Sequence, residues 1–147
     1  MEKLRVLVLC TGNSCRSQMA EGWLRYLLGD RVEVASAGTH PAVAVHPLAV
    51  QVMAEAGVDI SHHRPKHVDK LSGMPWDLVI TVCDSAKEES PYFPNAHEQI
   101  HVGFPDPVAA TGTQEERLAV YREVRDAIRD RLVPEVKARL AERAEAS

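Results

Sequence analysis

Leu4-Arg5-Val6-Leu7-Val8-Leu9 runs without a break into Cys10-Thr11-Gly12-Asn13-Ser14-Cys15-Arg16-Ser17. The first half is nearly continuous in apolar residues, the pattern of a strand buried on both faces of a parallel sheet. The second half is a small-residue loop, and Gln18 to Leu28 then places Met19, Trp23, Leu24, Leu27 and Leu28 at helical spacing up to a stop at Gly29-Asp30. The stretch thus predicts a strand, a tight loop and a helix, the first unit of an α/β fold.

The same alternation continues downstream. Val32 to Ser36 reads as a second strand and His46 to Ala56 as a helix stopped by Gly57. Trp76 to Cys83 reads as another buried strand, and Ile100 to Phe104 as a fourth, ended by Pro105-Asp106-Pro107. Thr113 and Glu116 have capping-box spacing, and Leu118, Tyr121, Val124, Ile128 and Leu132 line one face of a last helix. Pro134 is expected to kink or split that helix, with Glu135 to Ala146 fraying. Residues 1–147 read as one α/β domain, a four-stranded parallel sheet flanked by helices.

Composition narrows the function. With 45% hydrophobic and 26% charged residues in 147, the chain is long enough to bury a core and is no disordered tail. A net charge of −4 argues against neutralising a nucleic-acid backbone. No apolar run approaches the roughly 18 residues of a spanning helix, and the first residues lack a signal-peptide pattern. Three cysteines, Cys10, Cys15 and Cys83, are an odd number that suits catalytic or redox use better than a disulfide framework. A cytoplasmic enzyme is expected.

Open parallel sheets work at the carboxyl ends of their strands, where the order switches direction. Cys10 follows the first strand, Cys83 closes the third, and Asp106 lies just past the fourth. If strand one neighbours strand three, all three residues open onto one edge. Adjacent strands lie about 4.8 Å apart, within the roughly 7 Å Cα separation that a disulfide tolerates.

The loop itself reads as an anion trap. Successive amides of Thr11, Gly12, Asn13, Ser14 and Cys15 point inward, and the following helix adds its positive end. Arg16 brings a planar fork matched to two oxygens of a tetrahedral oxyanion. The same field favours a thiolate at Cys10, and Ser17 is placed to donate to that sulfur. A nucleophilic sulfur held against an oxyanion is what phosphoryl-type transfer requires. The absence of a Gly-Lys-Ser/Thr ending argues against a nucleotide P-loop.

At this point the residues resemble a known family. Cys10 to Trp23 (CTGNSCRSQMAEGW), with SAGTHP at 36–41, DISHH at 59–63, KHVD at 66–69, TVCDSAKEE at 81–89, PDP at 105–107 and ATGTQEE at 110–116, is similar to arsenate reductases built on the low-molecular-weight protein tyrosine phosphatase fold, of the thioredoxin-coupled type. The resemblance implies Cys10 as nucleophile, Arg16 as oxyanion ligand and Asp106 as general acid. It also implies that Cys83 attacks the Cys10 sulfur to release arsenite and leave a Cys10–Cys83 disulfide. No bound cofactor is implied, only an external thiol such as thioredoxin, and a monomer is expected.

The alternative is a phosphatase acting through a phosphocysteine at Cys10. Against it, Gln18-Met19 replaces the proline that follows Cys-Arg-Ser in typical phosphatases, and Val108 stands where they carry an aromatic. Aromatics near the site edge reduce to Tyr92 and Phe93. An oxyanion sensor or phosphocysteine carrier is a third, non-enzymatic reading. Ser90 occupies the position of the third relay cysteine in thioredoxin-coupled relatives, so the disulfide is opened directly or a small thiol intercepts the intermediate. Cys15 either packs or bridges protectively to Cys10. Asn13, Glu21 and Ser36 match positions that some relatives use to brace the loop and hold potassium. Arg64-Pro65-Lys66 lacks the acidic partner, so the Lys66 ammonium stands in for the ion and no metal is required. His62, His63 and His67 read as solvated or capping. The segment from Cys83 to Pro94 is expected to move during the cycle.

Overall fold

The computed structural model describes residues 3–83 and 96–146. Its strands are β1 (Leu4–Cys10), β2 (Val32–Gly38), β3 (Trp76–Thr81) and β4 (Ala96–His101), and its helices are α1 (Arg16–Leu28), α2 (Pro47–Glu55) and α3 (Gln114–Ala146). The sheet order is β2-β1-β3-β4 and every pairing is parallel. β1 therefore sits centrally, with Cys10 opposite Gly38 on one side and Leu9 opposite Thr81 on the other.

Alternation along β1 explains its unbroken apolar run. Leu4, Val6, Val8 and Cys10 join the larger core with α1, α2 and α3, whereas Leu7 and Leu9 face a smaller cluster with Ala37, Val68, Trp76 and Val79. Both faces are covered, so apart from half-buried Arg5 at the start of the strand neither parity of side chain is polar. The strand ends depart modestly from expectation. β2 extends past Ser36 to Gly38, where the chain also pairs with His67. β3 ends at Thr81, although the Val82 amide still donates to the Leu9 carbonyl at 2.9 Å.

β4 spans Ala96–His101 rather than Ile100 to Phe104. It is the sheet edge, and its exposed His97 and half-buried Glu98 and Gln99 lack the apolar signal that a central strand carries. Phe104 is fully buried beyond the strand, its amide donating to Val82 O at 3.2 Å. Asp106 consequently stands at the end of a short extended run, at the head of the turn Pro107–Ala109.

α2 starts at Pro47, where a proline loses no helical hydrogen bond, with His46 Nδ1 accepting from the Leu48 amide at 3.2 Å. The expected capping box opens α3: Thr113 N–H donates to Glu116 Oε1 and Glu116 N–H to Thr113 Oγ1, each at 3.1 Å. The expectation of a split at Pro134 and a fraying end does not hold, for α3 runs unbroken through Pro134 to Ala146. Tertiary contacts offset the missing hydrogen bond. Val133, Val136 and Leu140 are buried in the larger core, Arg139 donates to both oxygens of Glu98 at 2.9 and 3.2 Å, and Arg143 reaches Asp77 at 3.4 Å. A large-to-small change at a buried leucine costs about 2–5 kcal/mol. Leu140→Ala should therefore destabilise the protein by roughly that amount in urea unfolding, and a negligible change would show that the last turns contribute nothing.

Candidate active site

The loop between β1 and α1 is shaped from outside. The amides of His40, Ala42 and His46 donate to the carbonyls of Thr11, Gly12 and Ser14 at 2.9, 2.9 and 3.0 Å. In a trans peptide the C=O and the next N–H point in opposite directions. Drawing these three carbonyls outward turns the amides of Gly12, Asn13 and Cys15 inward, and the Asn13 amide indeed donates to Cys10 Sγ at 3.2 Å. Asn13 takes a left-handed φ of 50°, which asparagine tolerates better than most residues. Gly38 allows β2 to pass close behind the loop, since a Cβ there would lie 2.4 Å from the Thr11 carbonyl oxygen. The helix behind the loop has no side-chain cap and no acidic residue in its first turn, so its positive end is not neutralised locally.

Cys10 Sγ lies 2.8 Å from Ser17 Oγ. Asn13 favours Ser17 as the donor of that bond. Its Nδ2 group donates to Ser17 Oγ at 2.8 Å and to Ser36 Oγ at 3.0 Å, which leaves the Ser17 proton for the sulfur. Ser36 in turn donates to Glu21 Oε1 at 2.7 Å. Cys10 thus receives two hydrogen bonds, from Asn13 N–H and Ser17 O–H, an arrangement suited to an anionic sulfur.

Arg16 is buried. Its Nη1 donates to the Phe104 carbonyl at 3.2 Å and its Nη2 lies 3.6 Å from Asp106 Oδ2. Asp106 Oδ1 also accepts from the Val108 amide at 3.1 Å. Guanidinium and carboxylate, brought from opposite ends of the sequence, therefore face one another at the loop. Cys83 is buried, with Sγ 3.8 Å from Thr11 Oγ1, so the chain just past β3 abuts the residue next to Cys10. None of the three cysteines is bridged in a disulfide.

Cys15 faces away into the core, 3.8 Å from Tyr121 Oη and 3.8 Å from Ser14 Oγ. Burial pushes its thiol up to about 11, only partly opposed by the hydrogen bond to Tyr121. It is protonated at neutral pH and does not compete as a nucleophile.

Glu21 is no solvated charge. It is buried and meets Arg25 at 2.8 Å, His63 Nδ1 at 3.5 Å and Lys66 Nζ at 4.0 Å, besides the Ser36 hydroxyl. Among the described residues no group of three or more histidines, cysteines or acids could hold a metal ion. His67 Nδ1 caps Asp69 as expected, but His63 is buried in this network rather than solvated. Burial holds His63 below the usual imidazole range, although Glu21 pulls the other way. Sequence reasoning missed Gln18 as a loop ligand and the strap at 40–46. No local pattern singled out Gln18, because its burial in α1 is set by the fold. Ser90, Tyr92, Phe93 and most of the Cys83–Pro94 segment lie outside the described residues.

Residues 5–145 match the family model described as low molecular weight phosphotyrosine protein phosphatase. An arsenate reductase of Halalkalibacterium halodurans is 48% identical over 132 residues, covering 90% of this chain and 94% of its own. A solved arsenate reductase in a phosphate-binding state superposes with a TM-score of 0.78 at 29% identity, covering 92% of this chain and 98% of that one. The thioredoxin-dependent arsenate reductase of Corynebacterium glutamicum does so at 0.64 and 28%, covering 92% of this chain and 63% of its own. The protein belongs to the low molecular weight phosphotyrosine protein phosphatase family, among its arsenate reductases.

Proposed function

We propose that this chain reduces arsenate to arsenite within one domain spanning 1–147, using two of its own thiols and an external one. The observation that carries the reading is the second buried thiol, Cys83, beside Thr11 at the mouth of the Cys10 loop. A hydrolase working through a single covalent intermediate has no use for it.

In this reading the amides of Thr11 to Cys15, Arg16 and Ser17 receive the oxyanion. The Cys10 thiolate attacks arsenic(V), and Asp106 protonates the departing oxygen, which leaves as water. Cys83 then attacks the Cys10 sulfur. The sulfur–arsenic bond breaks with its electron pair passing to arsenic, which leaves as arsenic(III), while the two sulfurs are oxidised to a disulfide. A dithiol such as thioredoxin donates two electrons to reopen it. With Ser90 in place of a third thiol, that donor attacks the Cys10–Cys83 bond directly. The similarity to a thioredoxin-dependent reductase supports this donor.

Phosphate fits the same oxyanion site, so slow phosphoester hydrolysis through Cys10 is a side activity of the loop. Half-exposed Val108 after Asp106-Pro107 offers no ring to stack on a phosphotyrosine. No described helix is long and apolar enough to cross a membrane. We place the protein in the cytoplasm as a monomer that binds neither nucleic acid nor membrane.

Three outcomes test the scheme. Cys83→Ser should release no arsenite in a thioredoxin-coupled assay while still consuming the Cys10 thiol, and sustained turnover by that variant would overturn the role of Cys83. Asp106→Asn should slow the first step by about 10²–10⁴-fold, the usual contribution of a positioned acid, read as single-turnover thiol loss. Finally, Lys66 already supplies a cation near Glu21. Activity should be equal in potassium, sodium and tetramethylammonium chloride at matched ionic strength, and a specific potassium stimulation would contradict a metal-free site.

A further inference from the structure

The most elaborately held side chain near the loop is one that the scheme above does not use. Gln18 is fully buried in the first turn of α1. Its Nε2 lies 3.1 Å from Asn13 O, 3.1 Å from Asn13 Oδ1 and 3.2 Å from Arg64 O. Three acceptors surround that end, so the amide orientation is determined and its two protons are shared among them. Its Oε1 lies 3.0 Å from His63 Nδ1, which must donate. The other His63 nitrogen lies 3.2 Å from Arg25 Nη1, and a guanidinium only donates, so Nε2 accepts.

Every bond in this series consequently points the same way. Arg25 donates to His63, His63 to Gln18, Gln18 to Asn13 Oδ1, Asn13 Nδ2 to Ser17, and Ser17 to Cys10 Sγ. Hydrogen bonds aligned head to tail polarise one another in a low-dielectric interior. Gln18 also grips both the backbone and the side-chain oxygen of Asn13, the one non-glycine residue with positive φ among the described residues. The Lys66 amide also donates to Asn13 Oδ1, at 3.0 Å, so Gln18 shares with it the task of keeping that oxygen away from Ser17. Without Gln18 one donor fewer opposes rotation of the Asn13 amide, which would turn an oxygen towards Ser17 and take the Ser17 proton from the sulfur.

We propose that Gln18 is a positioning residue for the Cys10 nucleophile, acting through Asn13 and Ser17 by fixing the direction of the hydrogen bonds that end on the sulfur. The proposal rests on Cys10 being the nucleophile of the reaction above, but its test needs no arsenate.

The experiment is a double-mutant cycle on Cys10 alkylation by iodoacetamide, followed by peptide mass spectrometry between about pH 5 and pH 9 on the full chain. Wild type, Gln18→Met, Ser17→Ala and the double variant are compared. Gln18→Met should slow alkylation near pH 6 by about tenfold and converge with wild type at high pH, as expected when an anionic sulfur loses a donor. Ser17→Ala should do the same, and the double variant should lie within about twofold of Ser17→Ala alone, because the path to the sulfur is already cut. Gln18→Glu has nearly the same shape but presents an oxygen to the three acceptors. It should move the profile in the same direction, and it replaces Gln18→Met in the cycle if that variant does not fold. A wild-type pH profile in the Gln18 variants, or losses that multiply in the double variant, would overturn the proposal. If arsenate is not reduced but the cycle shows this coupling, the inference stands and only the substrate assignment falls.

Discussion

In the proposed reaction a sulfur anion and an oxyanion, which repel each other, are held at bonding distance. That constraint organises the structure. It is met by hydrogen-bond donors aimed inward from a loop whose carbonyls are tied back by His40, Ala42 and His46. It is reinforced by the uncapped, acid-free start of α1 and by the buried Arg16 guanidinium. Such preorganised dipoles cost no rearrangement when charge develops, which is why they outperform solvent. The central position of β1 serves the same end, since a loop leaving the middle of the sheet can be buttressed from β2 at Gly38 and from the chain just past β3 at Cys83.

The buried polar cluster behind the loop follows from that constraint. Glu21 is a carboxylate with almost no exposure, and a lone buried charge is costly. Arg25, Lys66, His63 and Ser36 each approach it, so its charge is neutralised and hydrogen-bonded in place. The cluster anchors one end of a hydrogen-bonded series whose other end is the Cys10 sulfur. Cys15, in the same loop, shows the converse. Facing Tyr121 in an apolar setting, its thiol stays protonated and inert, although it lies only five residues from a sulfur placed to react.

Much of this was legible in the residues alone. The apolar run of β1, the small-residue loop and the spacing from Cys10 to Arg16 lie close together in sequence, where local pattern is a reliable guide. The capping box at Thr113 was legible for the same reason. The misjudged elements are those whose stability is not local. β4 is a polar edge strand recruited by pairing with β3, and the end of α3 survives Pro134 because Val136 and Leu140 are buried in the larger core and Arg139 donates to Glu98. Gln18 went unrecognised as a loop ligand because its acceptors, Asn13 and Arg64, converge on it only in the folded chain.

By itself, then, the sequence supplied the parts on which the proposed chemistry rests: a thiol at the head of a small-residue loop, an arginine at its end, a distant carboxylate and a second cysteine. These are matters of residue type and short spacing, which the backbone cannot alter. Tertiary structure alone decided which groups meet. It set Asp106 opposite Arg16, Cys83 beside Thr11, and Cys15 against Tyr121, since contacts between residues 72 to 106 positions apart depend on how the elements pack and not on any local propensity. It also decided the direction of the hydrogen bonds reaching Cys10, because a proton goes where the other acceptors leave room for it.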